Sequence, residues 1–376
     1  MRLVLATHRL GRGGSESYLL TVAAELQRLG HVVTLNAIEG GPSSERAAAL
    51  GIATHLGDEL PDATPDAALV QDAGRSFALS GRYPAAPQIF VAHSELFDAQ
   101  LPPQVSELTA AVVVMSERIE RRVRSLASPP PIIRLRQPVD TERFVARETI
   151  RDRPRRAVAL SNYLRGSRLA LLRRAWEPAG VEIVAAGDEA SPTDEPELLI
   201  ADADIVVGKG RALLEGMACG RAAYLFDMAG CDGWVTPASY PALEEDGFAG
   251  QATGRAARPE TLRADLAEYR PEMGAANRDL ATAHHGARRH TERLVELLTK
   301  ATPAGPATAC LDELERVTRA QWRLEDRAAG LARESDRLHK RILELEDEAE
   351  QLKATRRYRA ATRLARPIDR LRGRRR

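Results

Sequence analysis

The sequence predicts an α/β protein with two lobes, each built on a parallel sheet, followed by an α-helical coiled coil. Apolar runs rich in Val and Ile alternate with helical segments, and this alternation starts twice, at RLVLAT (2–7) and at AVALS (157–161). With 376 residues, the chain is longer than a single hydrophobic core usually supports. Beyond residue 309 the spacing of apolar residues changes to a heptad repeat, which is typical of coiled coils.

The first lobe is predicted to begin with a strand, a helix and a second strand. Residues 2–7 form the first strand and HVVTLNA (31–37) forms the second. Between them, Ser15 is a suitable N-cap for a helix, and Gly30 stands where a helix commonly ends. The apolar runs that follow are continuous, as expected of parallel strands covered on both faces. These further strand candidates are 67–72, 88–93, 111–115 and 131–135.

The second lobe is predicted to begin after the charged stretch 146–156, which interrupts this alternation. Helical segments at 258–269 and 272–299 close the lobe, and TPAGPATA (302–309) has the composition of a linker. The strand candidates are 157–161, 181–187, 203–208 and 222–227. We therefore expect an N-terminal Rossmann-like lobe at 1–148, a C-terminal Rossmann-like lobe at 149–300, a linker at 301–309, a coiled coil at 310–354 and a basic tail at 355–376.

One heptad frame runs without a break through the predicted coiled coil. Leu fills most d positions, whereas small or polar residues fill four of the six a positions. This pattern predicts a slender coiled coil that forms a homodimer. The alternative is a single solvated helix that folds back on the body. The d positions are Cys310, Val317, Leu324, Leu331, Leu338, Leu345 and Leu352, and the a positions are Leu314, Gln321, Ala328, Ser335, Ile342 and Ala349.

The composition argues against several classes of protein. The three cysteines include no CxxC pair and no zinc spacing to a histidine, so we expect reduced thiols and no metal site. No segment approaches the roughly 18 apolar residues of a spanning helix, and the N-terminus does not read as a signal peptide. A cytoplasmic location is therefore expected. The few aromatic residues are scattered, which argues against a surface for single-stranded nucleic acid.

The positive charge is concentrated in the tail. Residues 356–376 contain ten Arg and one Asp, so this segment carries +9 and the rest of the chain −8, within a net charge of +1. Apolar residues recur every three or four positions among the arginines. This spacing predicts that the tail binds an anionic membrane surface, on the inner face of the membrane. A disordered, solvated tail is the alternative. Nucleic-acid binding is disfavoured because the body is acidic and shows no reading motif.

A glycine-rich loop, residues 8–16, joins the first strand to the first helix. Gly13 and Gly14 stand where backbone N–H groups at a helix N-terminus attract phosphate, and glycine lets a ligand approach the backbone closely. The loop has neither the G-x-G-x-x-G pattern of dinucleotide folds nor the P-loop pattern. On its own, a flexible turn explains it equally well.

Five short motifs follow the glycine loop in a fixed order. The most specific is the last, in which a strand and turn lead into a helix that carries E-x-M-A-C-G. The motifs are LQRLGHV (26–32), VAHSE (91–95), VVVMSE (112–117), RQPVDTERF (136–144) and ADIVVGKGRALLEGMACGRAAYLFD (203–227). Their order resembles glycosyltransferase family 4, over about residues 1–300. The resemblance implies the GT-B fold, with two Rossmann-like lobes.

The strand, turn and helix at 203–227 are suited to a nucleoside diphosphate. Lys209, Gly210 and Arg211 fall at the end of a strand and the start of a helix, where two cations, backbone amides and the helix dipole can face a diphosphate. The resemblance implies that Glu215 accepts hydrogen bonds from the nucleotide ribose. A surface glutamate favoured only by the helix dipole is the alternative.

His93 and Arg165 complete the candidate site. His93 is predicted to follow a strand, which places it at the crevice where α/β sheets bind ligands, and the resemblance implies a catalytic role near the donor sugar. A purely structural histidine is the alternative. Arg165 stands in for the lysine that the family carries after the first strand of its second lobe.

The sequence also departs from the family pattern. The family usually has E-x7-E, and the position eight residues before Glu215 is Val207. In the segment Ser161 to Gly166 no arginine precedes Arg165, although the family usually holds the diphosphate there with an Arg and a Lys. A catalytically inactive scaffold with the same fold therefore stays open beside an enzyme.

The resemblance implies transfer of a sugar from a nucleoside diphosphate sugar to a glycan or lipid-linked acceptor, with retention of configuration. No cofactor, metal or covalent enzyme intermediate is expected. Such hexosyltransferases serve the synthesis of cell-surface polysaccharides or glycoconjugates. A different nucleotide-dependent α/β enzyme, such as an epimerase or dehydrogenase, is disfavoured because neither lobe has a dinucleotide fingerprint.

Overall fold

The computed structural model describes residues 1–95, 97–103, 105, 108–161, 164–187, 192–193, 195–303 and 311–354. The linker residues 304–309, Cys310 and the predicted basic tail lie outside these residues. The chain divides into two units, Met1–Trp322 and Arg323–Arg376. The first unit contains both sheets.

The first sheet has seven strands, all parallel, in the order β3-β2-β1-β4-β5-β6-β7. Successive residues of each buried strand point to opposite faces, as in β1, where Leu3 and Leu5 join one core and Val4 and Ala6 the other. The strands are β1 (Arg2–Arg9), β2 (Val32–Glu39), β3 (Ala53–Leu56), β4 (Ala67–Val70), β5 (Gln88–Val91), β6 (Ala111–Val114) and β7 (Ile132–Arg134). The helices between them are α1 (Gly14–Arg28), α2 (Pro42–Ala49), α3 (Ala73–Arg82) and α4 (Glu117–Arg124).

The second sheet has five strands in the order β12-β11-β10-β8-β9. Its strands are parallel except β12, which runs antiparallel to β11 at one edge. The strands are β8 (Arg156–Leu160), β9 (Glu182–Ala186), β10 (Ile205–Gly208), β11 (Ala222–Phe226) and β12 (Cys231–Trp234). The helices are α5 (Gly166–Trp176), α6 (Pro196–Ala201), α7 (Arg211–Ala218), α8 (Tyr240–Glu245), α9 (Pro259–Ala267) and α10 (Glu272–His285). We call the two sheets with their helices the first and second lobes.

The segment predicted as one helix at 272–299 is two helices, α10 and α11 (Ala287–Lys300). The break lies at Gly286, where Val139 bonds between the helices: its N–H donates to His285 O at 2.7 Å, and its carbonyl accepts from the N–H of Ala287 at 3.0 Å. From this break α11 crosses back to the first lobe, where Leu294 and Leu298 join the core beside α1. The predicted domain bounds at 148 and 300 stay predictions.

Two buried histidines fix this crossing. His290 Nδ1 donates to the carbonyl of Arg136 at 2.9 Å, and its Nε2 accepts from the Tyr18 hydroxyl of the first lobe. His285 Nδ1 donates in the same way to Gln137 O at 2.8 Å, and its Nε2 accepts from Tyr240 of the second lobe. Because a carbonyl only accepts, both rings carry their proton on Nδ1. Burial lowers the pKa of each histidine to about 4, so both are neutral near pH 7.

Strands β3 and β12 were not predicted from the sequence. Each has four residues and lies at the edge of its sheet. β3 is only half-buried, so it lacks the continuous apolar run by which parallel strands are recognised. In β12 the sequence CDGW contains Asp232 and Gly233, two residue types that are depleted in strands.

After the linker, a single helix, α12 (Leu311–Ala354), runs for 44 residues. From Arg323 onward, which is the second unit, its described d-position leucines and Ile342 are exposed. The helix prediction for this region is confirmed, while the coiled coil and the dimer stay predictions. Among the helices described, none combines the length and the apolar character needed to cross a bilayer.

Candidate active site

Three polar side chains meet at the carboxyl edge of the second sheet. Ser161 follows β8, Lys209 follows β10 and Asp227 follows β11, and these strands are neighbours. Asp227 is fully buried and accepts hydrogen bonds from the Ser161 hydroxyl and from the N–H of Met228. Lys209 Nζ lies 3.8 Å from Asp227 Oδ1, and its side chain is one-third exposed. Asp227 therefore holds the ammonium group of Lys209 at the partly exposed rim of this edge.

This edge is also the topological switch point of the second sheet. The chain passes from β8 to β9 on one side, whereas β10 lies on the other side of β8. Crevices at such switch points are where open α/β sheets bind their ligands. Helices α5 and α7 both begin here, because they follow β8 and β10, the two strands that flank the switch point. Their N-terminal N–H groups therefore face the same crevice. The edge can thus hold an anion.

Glycines give the turn between β10 and α7 its shape. A Cβ atom at residue 208 would lie 2.6 Å from the carbonyl oxygen of Leu160 in β8, so only glycine permits this approach of the two strands. Gly210 has φ +54°, a conformation that favours glycine, and its N–H donates to Phe248 O at 2.8 Å. Gly216 packs against the Val206 side chain, and a Cβ atom at residue 216 would lie 2.6 Å from Val206 Cβ. Close contacts thus explain the glycines at residues 208 and 216, and the positive φ explains the glycine at residue 210.

Arg211 and Glu215, both predicted to bind the donor, are bonded to each other. Arg211 Nε donates to Glu215 Oε1 at 2.9 Å, one turn along α7, and their side chains are 10% and 11% exposed. Arg211 also donates to Thr21 Oγ1 of the first lobe at 2.7 Å and to Pro138 O at 3.4 Å. Burial raises the pKa of Glu215, and the neighbouring Arg211 opposes this. Arg211 therefore lies between the lobes, while the cation paired with Asp227 is Lys209.

Val207 occupies the position where the family pattern has its first glutamate. Its side chain is fully buried in β10 and belongs to the apolar core on one face of the second sheet. A carboxylate in this core would have to be desolvated without a partner, which is costly. Burial in the core of the second sheet therefore explains why residue 207 is apolar.

Arg165 is the N-cap residue of α5, at the same edge as Lys209. None of the residues that the structure describes bonds to its half-buried guanidinium. The loop before it passes close to Gly187 after β9, which has φ +99°. Asn162 and Tyr163 of the loop lie outside the described residues. Arg165 thus supplies a second cation near the N-terminus of α5.

Gly13 and Gly14 begin α1 in the first lobe. Gly13 is the N-cap residue in extended backbone, and a Cβ there would meet the carboxylate of Glu16. Glu16 also accepts a 2.8 Å hydrogen bond from the Ser15 hydroxyl. A carboxylate of the chain thus already lies beside Gly13 at this helix N-terminus. Gly14, in contrast, is exposed, and a Cβ at this residue would have no neighbour within 4 Å among the described residues.

His93 lies just beyond the end of β5, in the first lobe. The Gln71 amide nitrogen donates to its Nε2 at 3.0 Å, so the ring carries its proton on Nδ1. Tyr18 contacts the ring edge-on at 4.8 Å between centroids. Burial, with smaller effects from His290 and Arg211, lowers the pKa of His93 to about 3. The neutral imidazole can donate a hydrogen bond from Nδ1, but it supplies no positive charge at neutral pH.

Several residues that support these groups had no predicted role. Gln71 and Tyr18 hold His93, while Ser161 and Asp227 complete the edge around Lys209. Ser161, Gln71 and Asp227 each follow directly on a buried apolar strand, which is the signal that could have identified them. Tyr18 carries no such signal, because it is one apolar position among many on α1.

The described residues contain no group of three His, Cys, Asp or Glu side chains placed to hold a metal ion. Asp232 instead accepts hydrogen bonds from the backbone of Ala252 and Thr253, which stabilises a loop. Cys219 and Cys231 are buried free thiols.

Solved structures that share this architecture include proteins crystallised with nucleotides and a glycosyltransferase. HepE of Anabaena, in complex with UDP and glucose, matches with a TM-score of 0.58 at 10% identity, over 79% of this chain and 99% of HepE. The HepE complex with UDP-glucose gives a TM-score of 0.55 at 12% identity, over 80% and 99% of the two chains. A glycosyltransferase of Rickettsia africae ESF-5 gives 0.54 at 12% identity, over 80% and 98%.

No family model matches the chain, and no curated protein matches it in sequence. The structural likeness alone establishes the architecture: this chain has the GT-B fold, with two Rossmann-like lobes and a helical C-terminal region.

Proposed function

We propose that the protein is a glycosyltransferase that moves a hexose from a nucleoside diphosphate sugar to a glycan or lipid-linked acceptor. The observation that carries this proposal is the edge of the second sheet, where Lys209, Arg165 and two helix N-termini surround the switch point. Positive groups in such a crevice suit a diphosphate. The fold is that of HepE, which was crystallised with UDP-glucose.

On this proposal the protein stabilises the leaving diphosphate electrostatically. Lys209 and Arg165, with the amides of α5 and α7, face the negative charge that grows as the glycosidic bond to the diphosphate breaks. Glu215 accepts hydrogen bonds from the ribose. Across the cleft, His93 donates from Nδ1 to a hydroxyl group of the donor sugar. Closure of the lobes excludes water, which would otherwise hydrolyse the donor.

The finer assignments belong to the same proposal. The motif order supports glycosyltransferase family 4, transfer with retention and no cofactor beside the donor. The first lobe takes the acceptor, and the pathway is the synthesis of cell-surface polysaccharide or glycoconjugate in the cytoplasm.

A ligand screen on the full-length protein tests the donor assignment. Thermal unfolding is measured with UDP-glucose, GDP-mannose and dTDP-glucose, with AMP as the control. We expect one nucleotide sugar to raise the unfolding midpoint, since a ligand that binds only the folded state stabilises it. Release of the matching nucleoside diphosphate then shows turnover. If the protein responds to none of the three, the transferase proposal fails.

A catalytically inactive scaffold is the second candidate. Two observations favour it. Val207 belongs to the apolar core at the position where the family has a glutamate, and Glu215 is already paired with Arg211. The screen separates the two candidates, because a scaffold releases no nucleoside diphosphate from any donor.

The C-terminal region is proposed to bring the enzyme to its place of action. The exposed leucines of α12 suit a homodimeric coiled coil, and the arginines of 356–376 suit an anionic membrane surface. Sedimentation equilibrium of wild type and Leu338→Asp tests the dimer, which the charged variant should dissociate. Co-sedimentation with phosphatidylglycerol vesicles tests the tail. Replacing Arg356, Arg357 and Arg359 by Ser should weaken binding, and unchanged binding contradicts the membrane assignment.

A further inference from the structure

The first turns of α12, Leu311–Trp322, lie on the carboxyl ends of strands in the first sheet. Trp322 stacks on His8 in the last part of β1, with 5.1 Å between ring centroids, and it also contacts Phe97 beyond β5 at 5.5 Å. Beyond β4, a Cβ atom at Gly74 would lie 3.8 Å from the methyl carbon of Thr318. One stretch of helix therefore spans the ends of β1, β4 and β5.

The covered place is the switch point of the first sheet. β1 and β4 are neighbours, and the chain continues from β1 to β2 on one side and from β4 to β5 on the other. An open α/β sheet binds its ligand in the crevice between two such strands. The segment Leu311–Trp322 thus occupies the position at which the first lobe would receive its own ligand.

Ionic contacts attach the segment to the first lobe. Glu315 Oε1 lies 3.5 Å from Nη1 of Arg75, which is fully buried and donates to Asn36 Oδ1 at 2.6 and 3.1 Å. Arg319 pairs with Asp58 in the first lobe and with Glu315 on its own helix. A small apolar cluster completes the contact, formed by Ala73, Phe77, Leu108, Leu311 and the partly buried Leu314.

Most of the face of α12 used here lies outside the heptad seam, and Leu314, an a position, is shared by both. The contacting residues Leu311, Glu315, Thr318 and Trp322 fall at positions e, b, e and b of the heptad frame. The d-position residue Val317 is 51% exposed. Contact with the first lobe therefore leaves the d seam open to a partner.

The closed arrangement leaves buried polar atoms without partners. Four such atoms belong to residues beside the segment or to the segment itself, and none has a hydrogen-bond partner in the described part of the chain. Buried polar groups are normally paired, because an unpaired one loses its hydration without compensation. Opening would restore water to these atoms. They are His8 Nδ1, Asp72 Oδ2, Arg319 Nε and Trp322 Nε1.

We propose that Leu311–Trp322 is a cap that closes the acceptor crevice of the first lobe and must move away before a glycan acceptor can enter. Apolar burial and the Glu315–Arg75 contact favour the closed state, and the unpaired polar atoms favour opening. This inference rests on the proposed transferase function, since it names the regulation of the acceptor side of that site.

A reversible cross-link tests the cap on the full-length chain. Gly74→Cys with Thr318→Cys, with Cys310→Ser to avoid mispairing, should form a disulfide that locks the cap, since these positions are adjacent. Hydrogen exchange of residues 311–322 is compared with that of β1. We expect the cap amides of wild type to exchange at least tenfold faster than β1, and oxidation of the double variant to slow them at least tenfold. Equal exchange of cap and β1 in wild type means that the cap does not open by itself, which overturns the proposal.

Turnover gives the second readout. Release of the nucleoside diphosphate from the donor found in the screen is measured with octyl glucoside and octyl galactoside as acceptors. Oxidation of the locked variant should lower acceptor-dependent turnover at least tenfold, and dithiothreitol should restore it. Trp322→Ala should raise turnover, whereas Arg323→Ala, which changes the next residue of the helix, exposed and outside the a and d positions, should match wild type. A locked protein that transfers at the wild-type rate overturns the cap. If no form binds any of the three nucleotide sugars of the screen or releases a nucleoside diphosphate, the donor assignment fails, and hydrogen exchange still decides whether the cap opens.

Discussion

Arg211 of the second lobe donates a 2.7 Å hydrogen bond to the hydroxyl oxygen of Thr21 in the first lobe. The Thr21 hydroxyl gives its own proton to Ser17 O, so its oxygen is free to accept. The same guanidinium bonds to Glu215, the predicted partner of the nucleotide ribose. A ligand hydroxyl that binds Glu215 therefore competes with Arg211, which joins the two lobes.

Removal of Arg211 is expected to destabilise the protein through Glu215. Arg211→Ala leaves a buried carboxylate without its partner, which costs about 3–5 kcal/mol for a well-buried pair and less where water reaches it. Glu215→Ala removes that carboxylate, so the double variant should be more stable than the sum of the single losses implies, by about 1–3 kcal/mol. Urea unfolding of the four proteins at pH 7 measures this coupling. Additive losses would show that the pair is energetically unimportant.

Loss of either cation at the edge of the second sheet should weaken the binding of nucleotide sugars. Lys209→Ala and Arg165→Ala each remove a charge-assisted contact of about 1.5–3 kcal/mol, which lowers donor affinity by roughly tenfold to a hundredfold. Isothermal titration with the donor found in the screen measures this change. Arg165→Ala should change stability little, because this side chain is half-exposed. Lys209→Ala should lower stability, because the fully buried Asp227 carboxylate loses its cation.

Two variants control this experiment. Lys209→Arg keeps the charge and should retain most of the affinity, and Lys300→Ala removes an exposed lysine of α11 and should have no effect. Wild-type affinity in both Lys209→Ala and Arg165→Ala would remove these residues from the donor site.

The second sheet shows why its fold could be predicted from the sequence. The apolar runs of β8, β10 and β11 are continuous because both faces of the sheet are covered, and glycines stand where backbones approach closely. These are local properties, which a sequence records directly. The same holds for α12, whose heptad spacing predicts a helix.

The pairing of site residues could not be predicted in this way. Arg211 is directed at Thr21 and Glu215 because the lobes meet there, and the sequence separation of 190 residues between Thr21 and Arg211 leaves no local trace. The break at Gly286 likewise depends on Val139 bonding to α10 and α11 from a distant part of the chain. The contact of Trp322 with His8 is of the same kind, since the heptad pattern directed attention to another face of α12.

Gly208 and Gly14 are expected to respond in opposite ways to alanine. In Gly208→Ala the new Cβ would lie 2.6 Å from the Leu160 carbonyl, so β8 and β10 must separate, at a cost of about 1–3 kcal/mol. In Gly14→Ala the Cβ enters open space in the first turn of α1, and alanine favours the helix by up to about 1 kcal/mol.

The comparison also tests the predicted role of Gly14. If a ligand approaches the backbone there, Gly14→Ala lowers turnover with the donor found in the screen while its thermal midpoint stays the same or rises. Gly330→Ala, in α12, is the control for a helical glycine outside the site. A Gly14→Ala variant with wild-type turnover would contradict a donor-binding role for this glycine.

The buried histidines should make the protein less stable in acid. Burial lowers the pKa of His285 and of His290 from 6.5 to about 4. Between these pH values the unfolded chain binds protons that the native state does not, so stability falls as pH decreases, by about 1.4 kcal/mol per pH unit for each histidine. His93 acts in the same direction. Asp72 acts oppositely, because burial raises its pKa from 3.8 to about 6 and the native state then binds the extra proton.

Urea unfolding at pH 7.5, 6.0 and 5.0 measures this dependence. Among the described residues, burial lowers the pKa of five histidines, His8, His31, His93, His285 and His290. They outweigh the two described carboxyl groups whose pKa burial raises, Asp72 and Glu215, so we expect the wild-type midpoint to fall between pH 6.0 and 5.0. His285→Gln removes one proton-binding group, and the slope in this range should then drop by about 1.4 kcal/mol per pH unit, although the variant is less stable at pH 7.5. Thr282→Ala changes an exposed residue of the same helix that binds no proton, and should keep the wild-type slope. A wild-type midpoint that is unchanged or higher at pH 5.0 would mean that the two histidines are not held neutral where the chain crosses between the lobes.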